Sequence, residues 1–412
     1  MPIRTRLSHA DKRKHIKVNE QTMEGDFIKI NEWLSPVSWI YGLCVGIRNK
    51  LFDLGILKSR AYDIPIISVG NITVGGSGKT PHVEYLIRLL KDRVKVAVLS
   101  RGYKRKSKGY VLADDDTPMS DIGDEPYQMK RKFDGIRVAV DKSRRHGIER
   151  ITNDEATRDT DVILLDDAYQ HRYVKPGINI LLVDYHRLII YDRLLPAGRL
   201  REPKDGKSRA DIVIITKCPK ELRPMDFRVL SKAMNLYPYQ KLYFSTLDYG
   251  DLQPLYCGEP RPMSSIRPED NILLLTGIAS PAQMIIDLQP YTSNITPMTF
   301  ADHHLFTPKD IEKLNNRFAE MPSPKMIITT EKDNARLFGL RGLSDEVRHN
   351  IYALPITIKF MLGQEDDFNE KIIGYVHKNS RNSILAKAKG DHKPQGGDNI
   401  RNRSRTISFR NN

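Results

Sequence analysis

VGNITVGGSGKTP, residues 69–81, lies between a run of β-favouring residues and a helical pattern over 82–90. This order of strand, glycine-rich loop and helix is typical of a P-loop, which binds the phosphates of a nucleotide. The glycines allow backbone N–H groups to turn towards phosphate oxygens, and the start of the helix adds its positive dipole end. We therefore predict a nucleotide site formed by Thr73, Val74, Gly75, Gly76, Ser77, Gly78, Lys79 and Thr80.

Two side chains of this loop carry its chemistry. Lys79 is expected to reach the β- and γ-phosphates, and the Thr80 hydroxyl is expected to hold Mg²⁺. The loop departs from the usual G-x-x-x-x-G-K-[ST] pattern because Thr73 stands where the first glycine is usual. The lysine and threonine, with a strand before the loop and a helix after it, still favour nucleotide binding over an ordinary tight loop.

The chain has 412 residues, of which 40% are hydrophobic, and this is enough for two domains with sizeable cores. Its three cysteines are scattered and form no Cys-x-x-Cys pair, which argues against a disulfide framework or a zinc site. The N-terminus is charged and lacks the apolar region of a signal peptide. These features indicate a protein of a reducing compartment.

Much of the net charge of +15 lies at the two ends of the chain. Residues 1–22 contain six Lys/Arg and two Asp/Glu, and residues 381–412 contain eight Lys/Arg and two Asp. Because both ends are polar, we predict disordered basic segments over 1–22 and 379–412. Such segments can contact nucleic acid or anionic lipid, or can simply keep a protein soluble.

Residues 23–57 contain both tryptophans of the chain, Trp33 and Trp39, within or beside a long uncharged run. A membrane-spanning helix needs about 20 apolar residues, and this run has 15. It is therefore too short to cross a bilayer. Aromatic residues followed by Arg48 and Lys50 suit the headgroup layer of a membrane, so we predict an amphipathic, membrane-associating helix. The alternative is a helix packed on the core of the domain.

Charged residues follow several predicted strands at the point where each strand ends. Arg101 follows the strand over 94–99, and Asp166 and Asp167 follow an apolar run. An apolar strand that ends in acid is the Walker B pattern, whose carboxylate supports Mg²⁺, and the sequence leaves open which acid reaches the metal. Because ligands bind at the carboxyl ends of parallel strands, these groups and His171 should share one edge with the P-loop.

Strands that alternate with helical stretches predict an α/β fold, a doubly wound parallel sheet of the P-loop NTPase type, over residues 58–239. A second, smaller α/β domain is predicted over 240–378, with strand patterns at 271–276 and 325–330. The residues alone give this second domain no role.

Seven motifs, in order along the chain, resemble those of one family, the tetraacyldisaccharide 4'-kinases of lipid A synthesis. They are GNITVGGSGKTP (70–81), SRGY (100–103), GDEP (123–126), DDAYQH (166–171), LPAGRLREP (195–203), FADHHLF (300–306) and TEKD (330–333). The resemblance extends over about residues 27–375 and leaves out both ends. Two mild departures are Ala168, where the family usually has glycine, and Arg199, where proline is common.

The resemblance implies a kinase that uses ATP and Mg²⁺. Its expected reaction is transfer of the γ-phosphate to the 4'-hydroxyl of an acylated disaccharide 1-phosphate, giving lipid IVA. It also implies peripheral association with the cytoplasmic face of the inner membrane, where residues 23–57 would give access to the acyl chains of the lipid substrate. No nucleic-acid partner is expected.

The resemblance further implies roles for individual residues. Asp124 of GDEP and His303 of FADHHLF match a catalytic pair that orients the alcohol and takes its proton. The residues expected to bind substrate or phosphate are Arg101, Arg144, Gln170, His171 and Arg201. The residues expected to bind the metal are Thr80, Asp166, Asp167 and Glu202.

Two other classes of function stand as alternatives. A P-loop NTPase that acts as a switch or metallochaperone would be favoured by an N-K-x-D guanine motif, which the sequence lacks. A non-enzymatic membrane or nucleic-acid binder would act through the basic ends. Removing both ends and measuring phosphate transfer would separate that binder from a kinase.

Overall fold

The computed structural model describes residues 30–278, 281–302 and 304–379. The predicted basic segments therefore lie outside the described residues, apart from Asn379, and so does His303. The helices of the described chain are α1 (Ser35–Asp53), α2 (Lys79–Leu90), α3 (Met119–Ile122), α4 (Asp124–Lys132), α5 (Arg144–Asn153), α6 (Pro224–Met234), α7 (Ala282–Leu288), α8 (Pro308–Ala319), α9 (Glu331–Leu337), α10 (Asp345–Asn350) and α11 (Glu365–Asn379).

The strands fall into a larger and a smaller sheet. They are β1 (Ile66–Gly70), β2 (Val96–Ser100), β3 (Val111–Leu112), β4 (Arg137–Val140), β5 (Val162–Asp166), β6 (Ile178–Asp184), β7 (Ile212–Thr216), β8 (Lys241–Tyr249), β9 (Gln253–Pro254), β10 (Asn271–Thr276), β11 (Ile295–Thr299), β12 (Lys325–Thr330), β13 (Ile351–Leu354) and β14 (Ile356–Phe360).

The larger sheet has nine strands in the order β14-β8-β7-β6-β1-β5-β2-β4-β3. Its interior strands are parallel, whereas β3 and β14 at the two edges run antiparallel to their neighbours. Strands β1, β2, β5 and β7 are completely buried, as expected for a parallel sheet that is covered on both faces. The prediction of a doubly wound parallel sheet is confirmed.

Helices cover both faces of this sheet. Since alternate residues of each strand point to opposite sides, each strand contributes side chains to a core on both faces. On one face, Ile67 of β1 belongs to a core with residues of α2, α4 and α11. On the other face, Ile66 packs in a core that includes Ile148 of α5. The P-loop between β1 and α2 therefore lies at the carboxyl edge of a rigid central layer.

The smaller sheet has five strands in the order β11-β10-β12-β13-β9. Strands β10 to β13 are parallel, and the short β9 runs antiparallel to β13. Its core includes Leu273, Ile327 and Phe318 of α8. The predicted second, smaller α/β unit is therefore present.

The predicted boundary at residue 240 needs correction. Strands β8 and β14 pair with each other in the larger sheet, and Phe368 and Ile372 of α11 pack in its core. The smaller unit is thus an insertion between β8 and β14, and the chain returns to the larger sheet after it. A strand pattern does not reveal its pairing partner, so the sequence placed these segments in the wrong unit.

Helix α1 packs on the larger unit through polar contacts and presents apolar residues outwards. Ser38 is buried and donates a hydrogen bond to the carbonyl of Leu194. The exposed apolar residues of this region follow helical spacing and are Trp33, Val37, Trp39, Ile40, Leu43 and Ile47. No helix within the described ranges combines the length and apolar character needed to cross a bilayer.

Candidate active site

The P-loop is held open by its own side chains. The Asn71 amide donates hydrogen bonds to the hydroxyls of Ser77, at 2.7 Å, and Thr73, at 3.3 Å. Gly78 precedes α2 with φ +79°, a left-handed conformation that suits glycine, and it offers no side-chain cap to the helix. The first N–H groups of α2 are therefore available to an anion. Thr73, which replaces the usual glycine, contributes to this internal hydrogen bonding.

The motif over residues 195–203 lies against the P-loop. The backbone N–H of Val74 donates to the carbonyl of Arg199 at 2.8 Å, and the N–H of Arg201 donates to the carbonyl of Ile72 at 2.7 Å. These bonds resemble strand pairing and fix the register of the two segments. They place Arg201 beside the phosphate-binding loop, and its role in binding phosphate stays a prediction.

The two acids at the end of β5 have different surroundings. Asp166 is buried and accepts a hydrogen bond from the Ser100 hydroxyl at 3.0 Å. Asp167 is more exposed, with one carboxylate oxygen 3.7 Å from Nζ of Lys79 and the other 3.6 Å from Nη1 of Arg201. Asp167 therefore faces the P-loop lysine, whereas Asp166 is held from behind.

Burial raises the pKa of Asp166 to about 6, and the nearby carboxylates of Asp167 and Glu125 act in the same direction. Lys79 and the Ser100 hydroxyl oppose this rise. Because the Glu125 carboxylate contributes to this rise in pKa, the GDEP motif lies near the end of β5. A cation at this site would favour the ionised form of Asp166.

Arg144, at the start of α5, is buried behind the same strand. Its Nη2 donates to the backbone carbonyl of Asp166 at 3.1 Å. Burial lowers the pKa of Arg144 to about 10, partly compensated by Asp166 and Asp167, so the guanidinium stays charged at neutral pH. Its Nε is buried without a hydrogen-bond partner among the residues that the structure describes.

His171 lies in the same cationic surroundings. Burial, followed by the charges of Arg144, Arg48 and Arg101, lowers the pKa of His171 to about 4. Its Nε2 is also buried, and within the described chain no group is hydrogen-bonded to it. A neutral imidazole and several guanidinium groups thus surround a place that would suit an anion.

Asp124 begins α4 and is bound by a residue of the smaller unit. Arg336 of α9 donates to Oδ2 of Asp124 from Nη2, at 2.5 Å, and from Nε, at 3.0 Å. Next to this pair, Glu125 is 3.1 Å from Nζ of Lys332, which also lies 3.6 Å from Asp302. The GDEP motif therefore contacts the TEKD region, and Lys332 of that region in turn contacts Asp302, the residue that precedes His303.

His304 has a structural environment. Its Nε2 is 2.9 Å from Oδ2 of Asp310, and its ring stacks on Phe300 with centroids 4.7 Å apart. Asp310 also accepts the backbone N–H of Thr307, the N-cap residue of α8. His304 thus helps to fix the start of α8. The position of His303 lies outside the described residues.

Glu202 does not lie with the two aspartates as the sequence predicts. It is buried, with one carboxylate oxygen 2.7 Å from Nη2 of Arg209 and the other accepting the Asn49 amide at 3.3 Å. Within residues 30–278, 281–302 and 304–379, no group of three or more His, Cys, Asp and Glu side chains is close enough to hold a metal ion. The prediction that Glu202 is a ligand finds no support, because its carboxylate is already held by a cation and an amide.

Helix α1 contributes contacts to the site that the sequence did not indicate. The Tyr41 hydroxyl donates to the backbone carbonyl of Arg201 at 2.7 Å, and Nη2 of Arg48 donates to that of Gln170 at 3.2 Å. Gln170 and Arg201 thus lie where α1 meets the carboxyl edge of the larger sheet. Polar and charged residues on an amphipathic helix are usually expected to face solvent, so the sequence did not predict these contacts.

The geometry defines a P-loop phosphotransferase. An uncapped helix start and Lys79 face an acidic strand end, and the buried Nε of Arg144 and Nε2 of His171, near that strand end, have no hydrogen-bond partner among the described residues. A second α/β unit brings further charged groups to the same edge.

Comparison with known proteins identifies the family. The family model described as tetraacyldisaccharide-1-P 4'-kinase matches residues 30–377. The chain is 62% identical over 363 residues to the tetraacyldisaccharide 4'-kinase of Phocaeicola vulgatus, covering 88% of this chain and 99% of that protein. It is 52% identical over 380 residues to that of Bacteroides thetaiotaomicron, covering 90% and 100%.

A solved structure agrees. The crystal structure of LpxK from Aquifex aeolicus, an "apo" form in complex with ATP, has a TM-score of 0.63 and 29% identity. The similarity covers 83% of this chain and 98% of that one. The chain therefore belongs to the tetraacyldisaccharide-1-P 4'-kinase family, and it is an ATP-dependent kinase that phosphorylates the tetraacyldisaccharide 1-phosphate precursor in lipid A biosynthesis. The sequence prediction of this kinase is confirmed, and the alternative of a switch or metallochaperone is set aside.

Proposed function

We propose that the P-loop and the end of β5 bind ATP with Mg²⁺. Lys79 and the N–H groups of residues 73–80 would hold the phosphates, while the Thr80 hydroxyl and the Asp167 carboxylate would hold the metal. The donor set fits Mg²⁺, which prefers oxygen ligands and keeps several waters, so a cluster of three acids is not required. When bound, the metal would neutralise charge on the transferred phosphoryl group. The buried Asp166 would support Asp167 as the metal ligand.

The observation that carries this proposal is the contact of Lys79 with Asp167 at the uncapped start of α2. A lysine and a carboxylate only 3.7 Å apart at such a helix end form a site that is ready for phosphate and a cation.

We propose that Arg101, Arg144, Gln170, His171 and Arg201 bind phosphate groups of the nucleotide or of the lipid. Support comes from Nε of Arg144 and Nε2 of His171, which are buried and, among the described residues, have no hydrogen-bond partner. An anion would satisfy such groups and offset the repulsion among neighbouring guanidiniums. The exposed Arg101 would be the first of these cations to meet an incoming ligand.

For the chemical step, we propose that Asp124 and His303 act together on the 4'-hydroxyl. The pair would orient the oxygen and accept its proton as the bond to the γ-phosphorus forms and the bond to the leaving ADP breaks. The contacts of Asp302 and Glu125 with Lys332 support an approach of the two motifs.

We also propose that the kinase associates peripherally with the cytoplasmic face of the inner membrane through α1. Trp33 is 93% exposed and Trp39 is 71% exposed, on a surface that continues through Ile40, Leu43 and Ile47. Isolated apolar residues are common on surfaces, but a stripe with two tryptophans suits a bilayer interface. The other side of α1 contacts Gln170 and Arg201, so this helix would link the bilayer to the catalytic edge.

The direct test is to incubate the protein with ATP, Mg²⁺ and tetraacyldisaccharide 1-phosphate and to measure the 4'-phosphorylated product. Asp124→Ala and His303→Ala should each lower kcat strongly and leave ATP binding largely intact. The double variant should be little worse than the worse single one, because residues that act as a unit have non-additive effects.

His304→Ala is the matched control. It removes the adjacent histidine, whose contacts with Asp310 and Phe300 are structural, so it should cost less activity than His303→Ala. Multiplicative losses in the Asp124 and His303 double variant would refute a shared step. A larger loss of activity from His304→Ala than from His303→Ala would show that the catalytic histidine is assigned to the wrong residue.

A further inference from the structure

Arg336 is a fully enclosed cation between the two α/β units. Its side chain is 0% exposed, and it donates to Asp124 of the larger unit and to Asp333 Oδ1 of its own helix at 2.8 Å. Its Nη1 also donates to the backbone carbonyl of Gly277 at 3.1 Å. The guanidinium therefore joins the start of α4 to the carboxyl edge of the smaller sheet.

The smaller unit fixes this guanidinium from its own side. Asp333 is buried, and its Oδ2 accepts the Thr330 hydroxyl and the N–H of Gly277, each at 2.8 Å. Because Asp333 is anchored twice, it orients Arg336 independently of Asp124. A planar guanidinium held in this way offers its remaining N–H groups in one direction, and here that direction is towards Asp124.

We propose that Arg336 is a positioning residue of the phosphoryl-transfer reaction, which holds the Asp124 carboxylate in one orientation and in its ionised form. This inference rests on the proposed function, in which Asp124 helps to take the proton of the acceptor hydroxyl. A buried cation stabilises an adjacent carboxylate, and a base must be ionised to accept a proton. The larger unit thus supplies the base, and the smaller unit supplies the group that prepares it.

Other charged groups lie near the pair, and in the proposed function His303 acts on the same hydroxyl as Asp124. Glu125 of α4 and Asp302 both contact Lys332 of α9, and Asp333 contacts Arg336 itself. Replacing Arg336 by a neutral residue would remove a cation that both Asp124 and Asp333 contact. The protonated form of Asp124 would then persist to higher pH.

The test compares Arg336→Gln with Arg336→Lys by steady-state kinetics over a range of pH. The glutamine variant should lower kcat by about 100-fold, within the usual contribution of a positioned acid or base. Its KM for ATP should change little, since the proposal gives Arg336 no contact with the nucleotide and lets it act through Asp124 on the acceptor hydroxyl. The acidic limb of its pH profile should move to higher pH, and the lysine variant should recover most of both properties because it keeps the charge.

Lys325→Gln is the matched control for loss of a buried cation in the same unit. Lys325 is also largely buried and donates to the carbonyl of Phe318 at 2.8 Å, but it lies at the start of β12, whereas Arg336 follows the end of that strand. This variant should have a lower unfolding temperature and an unchanged pH profile of kcat. An equal loss of kcat in Lys325→Gln and Arg336→Gln would overturn the proposal.

A double-mutant cycle with Asp124→Asn separates positioning from folding. In the Asp124→Asn background, Arg336→Gln should cause no further loss of kcat, because the group that it prepares is already gone. If the same factor is lost in both backgrounds, Arg336 acts independently and the proposal is wrong. If Arg336→Gln does not fold, the cycle is made with Arg336→Met, which keeps a long side chain but removes the charge. Full activity of Asp124→Asn would instead reject the proposed role of Asp124, and an inactive wild-type protein would reject the proposed function.

Discussion

Acid should destabilise this kinase through a histidine behind the P-loop. His82 lies one turn into α2 and is buried, with Nδ1 2.7 Å from the carbonyl oxygen of Gly78 and Nε2 3.0 Å from the hydroxyl of Ser245. A carbonyl can only accept a hydrogen bond, so Nδ1 carries the proton and Nε2 accepts from the serine hydroxyl. Burial lowers the pKa of His82 to about 4, although the bond to Gly78 acts in the opposite direction.

The sign of the effect follows from this lowered pKa. Between pH 6.5 and 4 the unfolded chain binds a proton at His82 and the folded chain does not. The stability contributed by the neutral histidine is therefore complete above pH 6.5 and is lost as the pH falls towards 4. For these two pKa values, proton linkage gives a loss of about 2 kcal/mol between pH 8 and pH 5.

The perturbation is His82→Gln, which removes the titration and keeps an amide at the same place. At pH 8 the variant should be less stable than the wild type by about 1 kcal/mol, because a hydrogen bond is lost. At pH 5 this difference should vanish or reverse, since only the wild type has paid the cost of the neutral imidazole. Urea unfolding at both pH values, followed by circular dichroism, measures the two differences.

His186→Gln is the control, because His186 is exposed and its replacement should change the free energy of unfolding little. The comparison between wild type and variant also cancels the contribution of His171, which is common to both proteins. If the wild type and His82→Gln differ by the same free energy at pH 8 and pH 5, the argument from burial is refuted.

Three further predictions concern the nucleotide site and the membrane surface. Lys79→Ala and Thr80→Ala should each lower kcat/KM by several orders of magnitude, and near-full activity of Lys79→Ala would refute the P-loop assignment. Asp166→Asn should unfold at a higher temperature than the wild type at pH 8 in EDTA but not at pH 4. Burial raises the pKa of Asp166 to about 6, so the stability that its protonated form contributes is lost as the pH rises through that value. The gain in the free energy of unfolding is at most about 3 kcal/mol, and its absence at pH 8 would contradict the burial argument. The fluorescence of Trp33 and Trp39 should shift to the blue on adding vesicles, weakened but not abolished by high salt, and an unchanged spectrum would favour an α1 that does not enter the interface.

The sequence predicted those parts of the fold that depend on local patterns. The residues of the P-loop are contiguous in the sequence, and the short apolar run before Asp166 predicts a buried strand of a parallel sheet. Both elements occur where the sequence predicts them. The insertion of the smaller unit was missed because Tyr249 of β8 and Ile356 of β14, which pair in the structure, are 107 positions apart in the sequence. Pairing at such separation is a property of the folded chain and leaves no local signal.

The same distinction applies to the candidate site. Lys79, Asp167 and Arg201 were predicted from motifs, and the structure brings them together. Arg336 lies three residues beyond TEKD and was not singled out, since an arginine on a polar helix usually faces solvent. Its role depends on a carboxylate 212 positions away, at Asp124. Partner identity, which decides whether a charged residue is a surface group or part of a site, cannot be read from residue type.

The insertion topology explains how one edge can serve both partners of the reaction. The chain leaves the larger sheet through β8 and returns through β14, and these strands pair with each other, so the smaller unit is tied to the larger one by two adjacent strands. Ser245 of β8 is the residue that bonds His82 behind the P-loop. In the smaller unit, Arg336 bonds Asp124. The strand from which the smaller unit departs is therefore bonded to the histidine behind the nucleotide loop, and the smaller unit itself is bonded to the proposed base. A substitution at the Arg336 contact should therefore alter catalysis without removing a proposed contact to ATP or lipid.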